Sequence, residues 1–503
     1  MDAVLNAAVD GLALVFAWPN ILYPVIGTLL AMTFSFLPGV SGVTLMALAI
    51  PLTFGWDPLP IVLLFGAFMG GATFMGSVTA ILFNVPGGAP NAATLLDGHP
   101  MAVRGEAKTA IACSAAASAI GSTFGIVILI ALLPALRDLI LRFGPPEFLL
   151  LAVWGLSTVV MVSSKSWLKG LSMAGIGMML AFVGLDPRTA ELRFAFGTDY
   201  LHDGLKIVPV LLGLFALAEM IDLIASGRAS ISGKRNAGQL SGSTRKGCLA
   251  PFRHRGLMLR SSVIGTVVGA IPGIGGTVAA FVAYGHAVHS STEDPRFGEG
   301  DIRGVLAPEA ANDAKDGGSL LPVLAFGVPG SEGTILLLAA LTLHGIEPGR
   351  ELLADQLPLV FALIWALFLS NWLTSVLGLA VSGQFARITV VRTEFLAPVI
   401  LSLVIIAAIV YRGQPIDLVV TALFGVFGYY LKRYDWPRVP IVIAFVLGGL
   451  FETNLHLTLQ LQALGRIDLL ARPIALVLVV LTVGTLLVPV IRHRRRNRPG
   501  PPR

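Results

Sequence analysis

The sequence predicts an all-α, polytopic membrane protein made of two inverted-topology repeats whose helices are discontinuous or fold into re-entrant hairpins. Three observations predict it. Only 13% of the 503 residues are charged and 55% are hydrophobic, where a soluble domain carries about 25% charged residues. One stretch of 39 residues, Pro58 to Leu96, contains no Asp, Glu, Lys or Arg. Finally, Gly/Pro-rich motifs recur in the same order on either side of one basic loop.

The mean hydropathy of +0.82 leaves no stretch long enough for a separate soluble domain. A spanning helix needs ~20 predominantly apolar residues, and hydropathy places roughly 11 to 13 membrane segments, half-spans included. The first lies within "MDAVLNAAVDGLALVFAWPN". It has no basic residue before its apolar stretch, unlike a cleaved signal peptide, and is expected to be a retained span.

Charge sets the orientation. No Lys or Arg occurs before Arg104, whereas Gly227 to Gly256 contains Arg228, Lys234, Arg235, Arg245, Lys246, Arg253 and Arg255 and no acid. Short cytoplasmic loops are enriched in Lys and Arg. The central loop and the tail "RHRRRNRPGPPR" are therefore expected in the cytoplasm and the amino terminus outside. The chain divides into a first transmembrane half (1–226), a basic cytoplasmic loop (227–256), a second transmembrane half (257–491) and a basic tail (492–503). In so apolar a chain these basic runs suit a bilayer surface, and no nucleic-acid partner is expected. Cys113 and Cys248 have neither a disulfide partner nor metal-ligand spacing, so no metal and no cofactor beyond a coupling ion is expected.

The halves repeat their wording. "GTLLAMTFSFLPGVSG" ends in Pro38-Gly39-Val40-Ser41-Gly42, and "GTVVGAIPGIGG" ends in Pro272-Gly273-Ile274-Gly275-Gly276. Further on, "GSVTAILFNVPGG" (Gly76 to Gly88) answers "GSLLPVLAFGVPGS" (Gly318 to Ser331). With the amino terminus outside and the central loop inside, the chain enters the two halves from opposite sides. Secondary transporters are often built this way, with substrate and ion sites near the midplane where interrupted helices meet.

Irregular backbone at membrane depth is tolerated only where it is buried in protein or lines a polar cavity. Pro and Gly end a helix or hairpin, and the next helix begins with free N–H groups and a positive dipole end. Such ends can hold a carboxylate without a buried Arg or Lys. Free carbonyls and the side chains of Asn84, Ser77 or Ser319 could hold Na⁺. Asn84 is read as a buried amide in need of partners beside the break. Ser77 and Ser319 could equally bond a carbonyl one turn back, and the motifs themselves could be packing kinks.

Several of these words closely resemble the large membrane subunit of the tripartite tricarboxylate transporters. They are "PGVSG", "GSVTAILFNVPGG", "DGHPMAVRGEA", "PGIGG", "APEAANDAKDGGSLLPVLAFGVPGS" and "LHGIEPG", and they cover roughly residues 20 to 425 in order. The resemblance implies a cation-coupled symporter, typically Na⁺-driven with H⁺ as the alternative. It would sit as a multi-pass protein in a bacterial inner membrane and import a small organic carboxylate. It also implies two partners, a periplasmic solute-binding protein that delivers substrate and a small membrane subunit. Its pattern carries over to Gly39, Ser41, Gly42, Ser77, Asn84, Pro86, Gly87, Gly273, Gly275 and Gly276. In the second half it covers Pro308, Glu309, Asn312, Gly318, Ser319, Pro329, Gly330 and Ser331. With Gly88, these include all the candidate substrate or ion contacts. This chain departs from the pattern at Phe74-Met75-Gly76-Ser77, where a Tyr-Gly-Gly-Ser run is usual, at Asn312-Asp313, where paired asparagines are common, and at Glu332, where a small residue is expected.

The charged residues admit two readings. Asp97, Arg104 and Glu106 could form a gate or simply sit at the membrane surface. "PEAANDAKDGG" is polar enough for a loop, yet it precedes an apolar run, so Glu309 and Asn312 could line a vestibule. Glu332 is a possible coupling residue if it lies within a span, and solvated if it lies at an interface. Two other functions compete with transport by symport. Gly39-Val40-Ser41-Gly42 fits the Gly-x-Ser-Gly pattern of an intramembrane serine protease, and His99, His286 and His344 exist as candidate bases. Its counterpart in the second half is Gly275, which favours half of a structural pair. A passive channel would need a continuous polar stripe, whereas the polar groups here cluster at helix breaks.

Overall fold

The structure is a computed structural model describing residues 2–37, 40–162, 166–186, 188–225, 241–291, 296–385, 393–468 and 471–496. It is a polytopic all-α protein. The chain begins with α1 (Asp2–Phe16), α2 (Leu22–Phe36), α3 (Gly42–Leu52), α4 (Pro58–Phe83), α5 (Asn91–Val103), α6 (Ala107–Ile140), α7 (Pro145–Val162) and α8 (Trp167–Ala181). A small antiparallel hairpin, β1 (Gly184–Leu185) and β2 (Leu192–Arg193), pairs Gly184 with Arg193 and Leu185 with Leu192. Then come α9 (Ile207–Leu211), a π-helical stretch Leu212–Leu217 and α10 (Ala218–Ala225). The later helices are α11 (Thr244–Arg253), α12 (Arg255–Ala270), α13 (Gly275–Ser290), α14 (Ile302–Phe326), α15 (Glu332–Leu343) and α16 (Arg350–Asp355). They are followed by α17 (Leu357–Phe385), α18 (Thr393–Arg412), α19 (Pro415–Arg433), α20 (Val439–Ala463) and α21 (Pro473–Arg496).

Among the described residues six helices are long and apolar enough to cross a membrane: α4, α6, the run from α9 to α10, α17, α19 and α20. Shorter apolar helices flank the breaks, α2 and α3 in the first half and α15 in the second. Helix α4 shows why the charge-free run is interior rather than lipid-facing. Of its most apolar window 89% is buried, against 33% for α19, and a helix apolar all round must be surrounded by protein or lipid. Pro58 opens it at a position where a missing N–H costs nothing.

The stretch 227–256, read as a basic loop, contains helical structure. Residues 226–240 lie outside the described residues, but Thr244–Arg253 forms α11, capped by Ser243, whose hydroxyl accepts from the Lys246 N–H. Likewise α21 runs on to Arg496, into the segment read as a tail.

The helices fall into two compact units that do not follow the sequence halves. The first comprises 1–137 and 208–429, the second 138–207 and 430–503. In the second, α20 packs on α7 and α8, and α21 packs on α7. Its buried Glu147 is paired with Arg472 and accepts from the Gly144 N–H at 2.9 Å. Arg193, on the hairpin, holds Glu452 with a bidentate pair at 2.6 and 3.1 Å. In the first unit α4 packs against α2 and α17, and α14 against α12, α13 and α5.

Candidate functional site

Helix α14 carries the polar centre of the first unit. The segment "PEAANDAKDGG", which the sequence leaves open as a loop, is the buried middle of this helix. Glu309, Asn312, Asp313 and Asp316 recur at spacings of three and four and so share a face, and all are buried. A carboxylate in such a place needs partners. Glu309 finds them on three other helices. Ser77 of α4 and Thr94 of α5 donate to its Oε1, the former at 2.6 Å. Ser114 and Ser118 of α6 donate to Oε2 at 2.6 and 3.4 Å.

The Ser118 hydroxyl also contacts Asp313 Oδ2. Asn91 supports this cluster, its Nδ2 donating to Ser77 Oγ at 2.7 Å and to the Thr73 carbonyl at 3.1 Å. Lys315, also buried, pairs with Asp316 Oδ1. Residues 232 positions apart in the chain thus meet at one carboxylate.

The breaks lie around this centre. Helix α4 ends on Asn84 and α14 on Gly327, both in the left-handed conformation, at φ 58° and 65°. Asn is among the few non-glycine residues that adopt this cap readily. Asn84 is therefore explained as a helix end. The reading of it as a buried amide is corrected, because its side chain is exposed. Gly87 folds back on α4 through an N–H to the Gly76 carbonyl at 3.1 Å. In the second half Gly273 and Gly275, at φ 75° and 70°, turn the chain from α12 into α13, a path closed to most side chains. The Gly275 N–H bonds the Gly330 carbonyl at 3.2 Å, joining the two breaks of that half. Ser331 caps α15 in a reciprocal box with Thr334.

Other sequence candidates are placed as follows. Pro38 and Gly39 lie outside the described residues. Ser41 precedes α3, its hydroxyl 3.5 Å from Thr44 Oγ1, and Gly42 starts that helix against Ala72. Pro86 is exposed and Gly88 half-buried, while Pro329 and Gly330 are buried. Gly276 lies against Lys315 and Asn312, whose side chains would be 2.4 and 2.6 Å from an added Cβ. Ser319 is buried and donates to the Asp316 carbonyl at 3.2 Å. Glu332 is exposed in the first turn of α15, where an acid suits the helix dipole. His99 contacts the Ile81 carbonyl, and His344 the Ala340 and Thr53 carbonyls. Those two rings therefore serve the backbone rather than Ser41.

Asp97 is neither a surface charge nor a free gate. Fully buried, its Oδ1 accepts from the N–H groups of Gly298, Gly300 and Asp301, each at 2.8 Å, and its Oδ2 accepts from Tyr284 at 2.9 Å. Arg104 donates to the Gly300 carbonyl. At the same junction burial raises the Asp301 carboxyl, but the side-chain and backbone donors of Arg303 outweigh it and hold it below the ordinary carboxylate range. The motif around Asp97 thus pins the loop that launches α14. Asp97→Ala is expected to cost on the order of 3–5 kcal/mol, because buried donors lose their acceptor. Thermal unfolding in detergent measures it, and an unchanged midpoint would show that the loop holds itself.

Sequence reasoning missed Asn91, Thr94, Ser114, Ser118, Asp313, Lys315 and Asp316. One signal was available: Ser114, Ser118, Gly121 and Gly125 stand at spacings of three and four in α6, a small, polar stripe of the kind that mediates helix contacts in membranes.

The family described as "Tripartite tricarboxylate transporter TctA family" matches residues 21–443. A relative from Agrobacterium vitis, described as an "Uncharacterized 52.8 kDa protein in TAR-I ttuC' 3'region", is 30% identical over 499 residues, 98% of each chain. A second from the same organism, an "Uncharacterized protein in TAR-II ttuC' 3'region", is 30% identical over 234 residues, 46% of this chain and 97% of its own length. No solved structure matches the chain.

Proposed function

We propose, because the chain belongs to the tripartite tricarboxylate transporter TctA family, that it is the large membrane subunit through which a small organic carboxylate is imported by cation symport. The cation is Na⁺ or H⁺. A periplasmic solute-binding protein delivers the substrate, a small membrane subunit completes the assembly, and a bacterial inner membrane houses it. The observation that carries this reading is the junction in the first unit, where paired helix breaks lie against a helix with buried carboxylates and a buried lysine. The first turns of α3, α13 and α15 direct backbone N–H groups toward a carboxylate, apart from those of Gly275 and Thr334, which bond Gly330 and Ser331. Each such end contributes only on the order of 0.3–2 kcal/mol, so binding needs the co-transported cation.

The two halves are inserted in opposite senses, and the breaks move as part of an elevator-like transport body. The clustering of the motifs in two compact hairpin-like regions supports this. The test is uptake of labelled citrate and smaller carboxylates into vesicles carrying the assembled transporter. Uptake is expected only with the binding protein and an imposed cation gradient. Passage down the substrate gradient alone, with neither, would mean a channel.

A further inference from the structure

We infer that the Glu309–Ser118–Asp313 cluster is a proton-binding site, with Glu309 as its fixed anion and Asp313 as the group that takes up and releases the proton. The inference rests on the cation-coupled reading above and names the coupling ion as H⁺. Two observations carry it. The first is a count of hydrogens. A carboxylate offers about four acceptor positions, and three hydroxyls, those of Ser77, Thr94 and Ser114, donate to Glu309 alone, with that of Ser118 farther off at 3.4 Å. Glu309 is therefore better provided as an anion than Asp313.

Ser118 has a single O–H, yet its oxygen contacts both Glu309 Oε2 and Asp313 Oδ2. When that hydrogen goes to Glu309, the contact with Asp313 is a hydrogen bond only if Asp313 carries a proton and donates it. The second observation is charge. Both carboxyls are fully buried, and the nearby ammonium of Lys315 is engaged by Asp316. Two ionised carboxylates sharing one hydroxyl in a buried site repel strongly, and one proton relieves the pair.

The remaining oxygen, Asp313 Oδ1, is buried with no hydrogen-bond partner. As a carboxylate, Asp313 would leave this acceptor unmet, which favours its protonated form. The charged groups acting on Asp313 are Glu309, Lys315 and Asp316 on its own helix. From the packed helices, α4 brings no ionisable side chain. Helix α5 brings Asp97 and His99, both bonded elsewhere. Helix α6 brings the Cys113 thiol, with Lys108 at its start and Arg137 and Asp138 near its end. Helix α11 brings Arg245, Lys246, Cys248 and Arg253, α15 brings Glu332, and α16 brings Arg350, Glu351 and Asp355. Helix α12 brings exposed Arg255 and Arg260, and α13 brings Tyr284, His286 and His289. No cation among these pairs with Asp313 among the described residues. In the cycle the carboxylate of Asp313 takes a proton from the outer solution with substrate, and the acid returns it to the inner solution after substrate leaves.

Two measurements test this. The infrared spectrum of the full chain in nanodiscs, titrated with pH, should show a protonated carboxyl band near neutral pH. Asp313→Asn should remove it, and Ser118→Ala, which keeps both carboxyls, should shift it. In vesicles carrying the assembled transporter and using citrate as probe, an imposed pH gradient should drive accumulation by the wild type. Asp313→Asn should lose that accumulation yet retain citrate exchange.

A band untouched by both substitutions overturns the proposal, and the Ser118→Ala spectrum decides it if Asp313→Asn fails to fold. Accumulation driven by a sodium gradient at uniform pH, equal in wild type and Asp313→Asn, also overturns it while leaving carboxylate import standing. If no gradient drives uptake by the wild type, cation-coupled import itself fails, and the infrared result still decides whether the proton site exists.

Discussion

Valine at Gly87 or at Gly330 is expected to abolish carboxylate uptake while leaving the protein folded in the membrane. The reason lies in space rather than in backbone angle. Positive φ is the usual ground for invoking glycine at a break, but neither residue is among those with positive φ. A Cβ on Gly87 would stand 2.4 Å from the Gly76 Cα and 2.8 Å from the Ser35 carbonyl oxygen. On Gly330 it would stand 2.8 Å from the Gly269 carbonyl oxygen and 3.0 Å from the Ser319 Cβ. These neighbours are mostly backbone and cannot swing aside, so the loops must lift off the ends of α2 and α12.

The cost to stability is that of overpacking, about 1–3 kcal/mol. Each loop is short, and α4 and α14 are buried along their own lengths. The cost to transport is larger, since the breaks are where a substrate would meet free helix ends. Gly285→Ala is the control, because nothing lies within 4 Å of its added Cβ. Uptake into vesicles, read beside the yield of monodisperse protein, measures both effects. Normal uptake by Gly87→Val and Gly330→Val would reduce the breaks to structural kinks.

The breaks were legible in the sequence because Gly and Pro act locally. So was the membrane placement of α4, because a charge-free run has only lipid and protein as solvents, but that protein surrounds it was not legible. Helix α14 was not legible in the same way. Glu309, Asp313, Lys315 and Asp316 make its first half look like a loop, and what permits a helix there is supplied from elsewhere. Hydroxyls on α4, α5 and α6 satisfy Glu309, and no local pattern announces a partner two hundred residues away. The two asparagines show the same limit. Asn84 stands beside the break and draws attention, yet it is an exposed cap. Asn91, only seven residues on, is buried and bonded to Ser77. Backbone geometry distinguishes them, and neither residue type nor spacing does.

Leucine at Gly125 or at Gly265 is expected to remove most of the stability of the fold. Both belong to Gly-x-x-x-Gly pairs, Gly121 with Gly125 in α6 and Gly265 with Gly269 in α12, spacings that let helix backbones touch. Here they hold α14 from two sides. An added Cβ would lie 2.4 Å from the Ala310 carbonyl oxygen at Gly121 and 2.2 Å from that of Ala314 at Gly125. At Gly265 and Gly269 it would lie 2.2 and 2.4 Å from the carbonyl oxygens of Ala311 and Lys315. Helix α14 answers with Gly317 against Gly125 and Gly318 against Thr266.

Backbone stands where a leucine side chain would begin, so the helices must part. Overpacking alone costs about 1–3 kcal/mol. Separating α6 from α14 also withdraws Ser114 and Ser118 from Glu309, and each hydrogen bond to a charged group is worth about 1.5–3 kcal/mol. Together these approach the ~5–15 kcal/mol that holds a whole domain folded. Alanine, which needs less separation, should give an intermediate loss. Thermal unfolding of the three glycine, alanine and leucine forms in detergent orders them. If Gly125→Leu unfolds at the temperature of the unsubstituted protein, α14 is not clamped between α6 and α12. The burial of its carboxylates would then need another cause.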